Sequence, residues 1–321
     1  MKVRFWGTRG SIPVSITTPH IRAKLVTALA GVAGRDLSSR DKIDAYLDSL
    51  GFAINGTFGG HSSCVEVETA GPQSAESVIF DLGSGARPLG ESLLERFGPD
   101  RPRTYHVFMS HLHWDHIMGF PFFAPVYIAG NRIVIHGCHQ ALEHAFRRQQ
   151  AAPSFPVDFS QLGATIEFDV LAPGKAYEIA GCRVTAKKQL HAGDSYGWRL
   201  EREGRALVYS TDSEHKLDQR ADWAGFIDFF RAADLVIFDA MYSLAEAISV
   251  RADWGHSSNI TGVELCQAAG ARCLCLFHHE PAHDDGKIAQ TLAETRRFEE
   301  ITRSGAPLEV ISAWDGLEIV L

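Results

Sequence analysis

The stretch that decides the reading of this chain is Tyr105-His106-Val107-Phe108-Met109-Ser110-His111-Leu112-His113-Trp114-Asp115-His116. Tyr105 to Met109 is a short apolar run of the kind a buried strand takes. Three imidazoles and a carboxylate follow within six residues. Alternate residues of an extended segment face one way, so His111, His113 and Asp115 can converge, with His116 turning in at the start of the next element. Imidazole with carboxylate suits zinc, iron or manganese, and the lack of a thiolate argues against a soft copper site. Four donors in one loop exceed what a closed structural zinc site takes from one segment, and such a site more often uses cysteine. The preceding strand and the interleaved Leu112, Trp114 and Ile117 argue against a merely histidine-rich surface loop.

Further donors stand at other predicted strand ends, where the loops of sheet proteins gather into sites. His191 follows a strand read over Arg183 to Gln189, Asp212 one over Ala206 to Ser210, and His278 one over Cys273 to Phe277. Taken singly each is weak, since a lone strand-end histidine is more often structural.

Working outward, strands are expected at Lys2–Trp6, Ser63–Thr69, Ser77–Asp81, Ile133–His136, Tyr196–Glu201, Leu235–Phe238, Leu308–Ile311 and Leu317–Leu321. Helices are expected at Pro88–Phe97, Gln140–Gln150, Ile260–Ala269 and Ile288–Ser304. Ile21, Leu25 and Leu29, then Ile43, Leu47 and Leu50, recur at helical spacing, so residues 14–56 read as a helical insertion. Strands and helices mixed without a linker predict one domain over 1–321, with two packed sheets covered by helices.

Composition narrows the function. The chain has 321 residues, 45% hydrophobic and 22% charged, which excludes a disordered chain or a coiled coil. No apolar run is long enough for a membrane span. A net charge of -8 argues against a protein that coats a nucleic-acid duplex. Six cysteines without a CxxC pair read as buried free thiols in a reducing cytoplasm. The excess is in histidine, at 15.

The cluster resembles the HxHxDH motif of the metallo-β-lactamase fold, in the branch that includes tRNase Z and related cyclic phosphodiesterases. Phe5-Trp6-Gly7-Thr8-Arg9-Gly10 is similar to that branch's first strand and turn, and Ser62-Ser63 and Phe80-Asp81-Leu82-Gly83-Ser84-Gly85 to its second and third. Leu190-His191 with Tyr196-Gly197-Trp198-Arg199, Phe238-Asp239-Ala240-Met241, Gly255-His256-Ser257-Ser258 and Leu276-Phe277-His278 follow in the family's order. The likeness spans residues 1–12 and 57–321.

It implies a four-layer αββα sandwich and a phosphoric diester hydrolase with two divalent metal ions, zinc first, with manganese or iron as alternatives. His111, His113 and His191 would hold one metal, Asp115, His116 and His278 the other, and Asp212 would bridge them. A shared hydroxide between two such ions can attack phosphorus in line. Asp115 can also orient the water. His256 is the candidate general acid, with Asp239 holding it protonated and aimed. His279 is left between a substrate contact and a hydrogen bond behind the ligands; His215 and His283 have no assigned role. The branch also leads one to expect a homodimer.

Departures from tRNase Z point to a small, cyclic nucleotide-type diester as substrate. Only Glu201-Arg202-Glu203-Gly204-Arg205 stands where tRNase Z carries a long tRNA-gripping arm, and the Arg-Asn signature after the first turn is missing. A tRNA 3′-processing endonuclease is the alternative, followed by a non-hydrolytic metal protein of the same fold. The basic residues Arg22, Lys24, Arg35, Arg40 and Lys42 of the insertion are candidates for touching a phosphate, against a plainly solvated face. The segment Pro153-Ser154-Phe155-Pro156-Val157 is expected to frame the pocket with Phe122 and Phe123.

Overall fold

A computed structural model describes residues 1–69, 71, 74–215, 223–242 and 255–321. In chain order the elements are β1 (Lys2–Gly7), α1 (Thr18–Ala30), α2 (Arg40–Asp48), α3 (Phe52–Asn55), β2 (Cys64–Glu68), β3 (Glu76–Phe80), α4 (Ala86–Phe97), β4 (Thr104–Phe108), α5 (Trp114–Ile117), β5 (Arg132–Gly137), α6 (Leu142–Gln149), β6 (Thr165–Val170) and β7 (Ala176–Ile179). There follow β8 (Cys182–Lys188), β9 (Tyr196–Arg202), β10 (Arg205–Ser210), α7 (Ala224–Phe230), β11 (Leu235–Asp239), α8 (Asn259–Ala269), β12 (Cys273–Phe277), α9 (Asp285–Thr302), β13 (Glu309–Ser312) and β14 (Glu318–Val320).

The strands form two seven-stranded sheets, ordered β14-β1-β2-β3-β4-β5-β6 and β13-β12-β11-β10-β9-β8-β7. Each sheet is antiparallel at one end and parallel at the other, the parallel pairs running over β3 to β6 in one and β10 to β13 in the other. Strands covered on both faces read as near-continuous apolar runs, as in Cys273-Leu274-Cys275-Leu276-Phe277.

Three apolar clusters account for the layers. Between the sheets, Val3, Phe5, Val67, Phe80 and Phe108 meet Val184, Trp198, Tyr209, Ile237 and Phe277. The outer face of the first sheet is covered by Leu89 and Leu93 of α4 and Phe146 of α6. The outer face of the second is covered by Phe226 and Phe230 of α7, Val263 and Cys266 of α8, and Leu292 and Phe298 of α9. This is the expected αββα sandwich. Burying each such side chain stabilises by about 1.5–3 kcal/mol. Trp198 also ties the sheets with a polar bond, its Nε1–H donating to the Met109 carbonyl at 3.1 Å.

Helix ends follow their capping residues. Ser258 accepts from the Thr261 amide at the start of α8, and Asp284 accepts from the Lys287 amide at the start of α9. Two edge strands, β6 and β7, and helix α7 are additional to the expected elements. All six cysteines are free, five of them buried. Among the described residues no helix is long and apolar enough to cross a membrane.

Because β3 to β5 run parallel, as do β10 to β12, their carboxyl ends come out at common edges. A ligand crevice in an open α/β sheet lies at such ends. His111 follows β4, Asp212 follows β10, Asp239 closes β11 and His278 follows β12.

Candidate metal centre

The backbone aims these side chains by leaving the strands abruptly. Asp81, Asp212 and His278, just past β3, β10 and β12, have φ of 54°, 48° and 60°. Left-handed backbone at a non-glycine residue costs energy and persists where the surroundings over-determine it, as at functional sites. His113 ends the extended run as the N-cap of α5, so Asp115 and His116 lie in a helical turn. That differs from the expected extended run through Asp115: convergence comes from one helical turn at its end.

Two groups of donors result. One atom each of His111, His113 and His191 lies within 4.8 Å of the others, and the same holds for Asp115, His116 and His278. In the first group His191 Nε2 is 3.2 Å from His113 Nδ1. In the second, His116 Nε2 is 3.3 Å from His278 Nε2 and 3.2 Å from Asp115 Oδ2. Asp212 reaches both. Its Oδ1 is 3.3 Å from the Nε2 atoms of His116 and His278. Its Oδ2 is 3.7 Å from His111 Nε2 and 3.8 Å from His191 Nε2.

The donors suit cations. His111 Nε2 is buried without a hydrogen-bond partner and faces Asp212; an orphaned lone pair in such a place calls for an ion or a donor. Burial, then the neighbouring His116, holds the His111 imidazole well below its ordinary range, so it is neutral and able to ligate. Burial would raise Asp212, but His278, His116 and His111 outweigh it and keep the carboxyl well below the usual range. Asp115 is likewise held low, with His116 outweighing burial. For His116 the balance is reversed: burial opposes its charge, and Asp115, Asp212 and Asp81 push it well up.

A residue given no role in the sequence reading orients this set. Asp81 accepts from the Ser110 amide at 2.7 Å, Ser110 Oγ at 2.6 Å, His116 Nδ1 at 2.8 Å and the Tyr209 hydroxyl at 2.8 Å. Its bond fixes the His116 tautomer and turns Nε2 inward. His191 is fixed the same way, Nδ1–H donating to the Gly255 carbonyl at 2.8 Å. Gly83 is required by space: a Cβ there would lie 2.4 Å from the Asp115 carbonyl oxygen.

His256 stands beside the centre, with Nδ1 2.8 Å from Asp239 Oδ2 and 4.0 Å from Asp212 Oδ2. Burial alone would lower it; Asp239 outweighs burial and pushes the imidazole up to about 9. Asp239 also accepts from the Met241 and Ser213 amides. Ser257 bonds the Ser213 carbonyl and the His215 amide.

Other candidates stand apart. His279 is buried, 2.9 Å from the Ala313 carbonyl through Nε2, and burial pushes it down to about 3; it serves the strand behind the ligands. His61 meets Ser84 Oγ at 3.1 Å, and His106 pairs with His136 at 3.0 Å within the first sheet. His215 is packed against Phe226 and Phe238. Trp114 is 62% exposed and not interleaved with the core, because α5 turns it outward. Phe122 meets Phe155 edge-on at 5.6 Å, but Phe123 is fully buried against Tyr105, so these residues do not frame one pocket together. Of the basic residues in 14–56, Lys24 lines a cavity, Arg40 pairs with Asp44 and Lys42 with Asp36.

Residues 80–279 match the beta-lactamase superfamily domain. Ribonuclease Z of Acaryochloris marina is 27% identical over 262 residues, 66% of this chain and 79% of that protein. The metallo-beta-lactamase fold protein YhfI from Bacillus subtilis superposes with a TM-score of 0.64 at 17% identity, over 99% of this chain and 98% of that one. A diphosphatase from the PhnP family superposes with a TM-score of 0.58 at 16% identity, over 100% and 97%. The chain belongs to the beta-lactamase superfamily and is a metal-dependent hydrolase of the metallo-β-lactamase fold.

Proposed function

We propose that this hydrolase is a phosphodiesterase acting on a small nucleotide-type diester, cyclic nucleotides included. The observation that carries the reading is the joining of two three-donor groups by one carboxylate, Asp212, with the His256–Asp239 pair beside them. His111, His113 and His191 would hold one divalent cation and Asp115, His116 and His278 the other, with zinc the fitting choice for nitrogen and oxygen donors. Such a pair of cations supplies charge that activates water and steadies a phosphoryl group in line. The chain's own residues do the rest. Asp115 can orient the attacking water. His256 donates Nδ1–H to Asp239, which keeps the ring cationic, so Nε2 carries a second proton and gives it to the departing oxygen. A positioned acid of this kind contributes about 10²–10⁴-fold. The six free cysteines support a reducing compartment such as the cytoplasm.

A tRNA-processing nuclease is the second reading, favoured by the likeness to ribonuclease Z. Against it stands the turn between β9 and β10. Glu203 and Gly204, with φ of 52° and 74°, form a two-residue hairpin turn with no room for an arm. The net charge of -8 points the same way.

The test is a product assay on metal-loaded protein with cyclic mono- and dinucleotides beside a precursor tRNA bearing a 3′ trailer. Opening of a cyclic nucleotide without trailer removal is expected. Clean trailer removal would replace this reading with the second.

A further inference from the structure

A cavity of about 660 Å³ lies between α1, α3 and the segment that joins β12 to α9. Its walls mix apolar side chains such as Ile16, Ile54 and Pro281 with the imidazoles of His20, His61 and His283. Its carboxylates are committed to protein donors. Asp284 caps α9. Asp285 takes Lys24 Nζ, Thr57 Oγ1 and the Phe58 amide. Asp315 takes Thr8 Oγ1 and the amides of Gly60 and His61. The Arg9 guanidinium donates through Nε to the Gly59 carbonyl and through Nη1 to those of Glu280 and His283. A guest would meet apolar side chains and imidazole rings, the Nδ1 atoms of His20 and His61 being already engaged by Thr17 and Ser84; such surroundings suit a planar ring carrying a few hydrogen-bonding atoms. The volume is that of a small-molecule site.

The cavity adjoins the metal centre through its own walls. Gly10 follows Arg9, and a Cβ there would lie 2.6 Å from the His278 ring. Ser62 follows His61 and donates Oγ–H to the Asp115 carbonyl at 2.8 Å. His283 lies five residues beyond His278 on the same connection. Three of the lining segments, at Arg9, at His61 and on the connection from β12 to α9, thus lead to residues that touch or follow the second donor group; the α1 and α3 walls do not.

We infer that this cavity takes the organic part of the diester, a nucleoside, while its phosphate lies at the metal centre. The inference rests on the phosphodiesterase reading and adds the source of its selectivity. One side of the pocket is lined by α1, which has no buried side chain, so selectivity is carried in part by a peripheral wall.

The test compares two esters that release the same phenolate, thymidine 5′-(4-nitrophenyl) phosphate and bis(4-nitrophenyl) phosphate, on metal-loaded protein. Ala23→Trp on α1 and Ile54→Trp on α3 each fill the cavity from a different element, so misfolding of one leaves the other in play. Variants are compared at equal metal content and melting temperature. The ratio of kcat/KM for the nucleoside ester over the simple ester should fall by about tenfold or more, through KM. A ratio within about twofold of the unaltered protein in both variants, with both esters still turned over, overturns the inference. No turnover of either ester by the unaltered protein strikes the phosphodiesterase reading itself.

Discussion

The donor cluster between the sheets and the helices α1 to α3 are built on opposite plans. His111, His116, Asp212 and His278 are at most 2% exposed, and their strands are locked in register by the core between the sheets. Asp81, Ser110 and Tyr209 hold His116 from behind. In α1 no residue is buried, and Ile21, Leu25 and Leu29 are 47%, 58% and 70% exposed. Its ties are few: Lys24 bonds Asp285 and the carbonyls of Ala53 and Gly56, and the Tyr46 hydroxyl donates to the Ala28 carbonyl. A reacting centre needs side chains held to within a fraction of an ångström, which packed strands deliver. A wall that only selects what enters can sit on a lightly anchored segment.

Removing the residue that joins the two donor groups should do the most damage. Asp212→Ala is expected to abolish measurable turnover and weaken metal binding by more than the ~10–100-fold typical of losing a partner behind a ligand; metal titration by calorimetry checks it. Next, His256→Ala should lower kcat on an unactivated diester by about 10²–10⁴-fold while leaving the donor groups intact. The loss should shrink on a 4-nitrophenyl ester, whose leaving group needs no proton; equal losses on both would refute the acid role.

Asp81→Ala should then weaken metal affinity by about 10–100-fold, read in the same titration. An unchanged affinity would mean that the strand ends alone aim His116.

Acid should weaken the sandwich. Burial outweighs Asp239 and pushes His215 down to about 4. The unfolded chain, with an imidazole near 6.5, binds the proton more readily, so this stabilisation is present above pH 6.5 and is lost as pH falls towards 4. The loss is about 2–4 kcal/mol. Urea melts at pH 7 and pH 4.5 should show it, and His215→Gln should make the slope shallower, the rest coming from other buried imidazoles such as His136, also pushed down to about 4; an equal slope in both proteins would contradict it. The smallest effect belongs to α1. Lys24→Met should speed amide exchange in α1 about tenfold, or ~1.4 kcal/mol of local opening, with little change in melting temperature.

How much of this was legible depended on how local each signal is. His111 to His116 could be read because the donors are adjacent in the chain, and the apolar strand before them fixed their place. His191, Asp212 and His278 gained meaning only beside a family pattern. Asp81 carried no local mark, since one carboxylate after a strand looks the same whether or not it braces a ligand. The edge strand β6 does alternate, Ile166 and Phe168 against Glu167 and Asp169, yet its half-buried side chains give a weak contrast. The outward turn of Trp114 depends on where α5 begins, which periodicity over four residues does not settle. The cavity draws its walls from segments around 9–27, 53–61 and 281–286, and no pattern within any one of them announces it.

The central claim is that the seven donors form a two-ion centre. The most direct measurement is the metal content of protein purified with zinc and exhaustively dialysed, for the unaltered chain and for His113→Ala. The account predicts two tightly held ions per chain in the first and one or fewer in the second. Two ions retained by His113→Ala, or none in the unaltered protein, would contradict it.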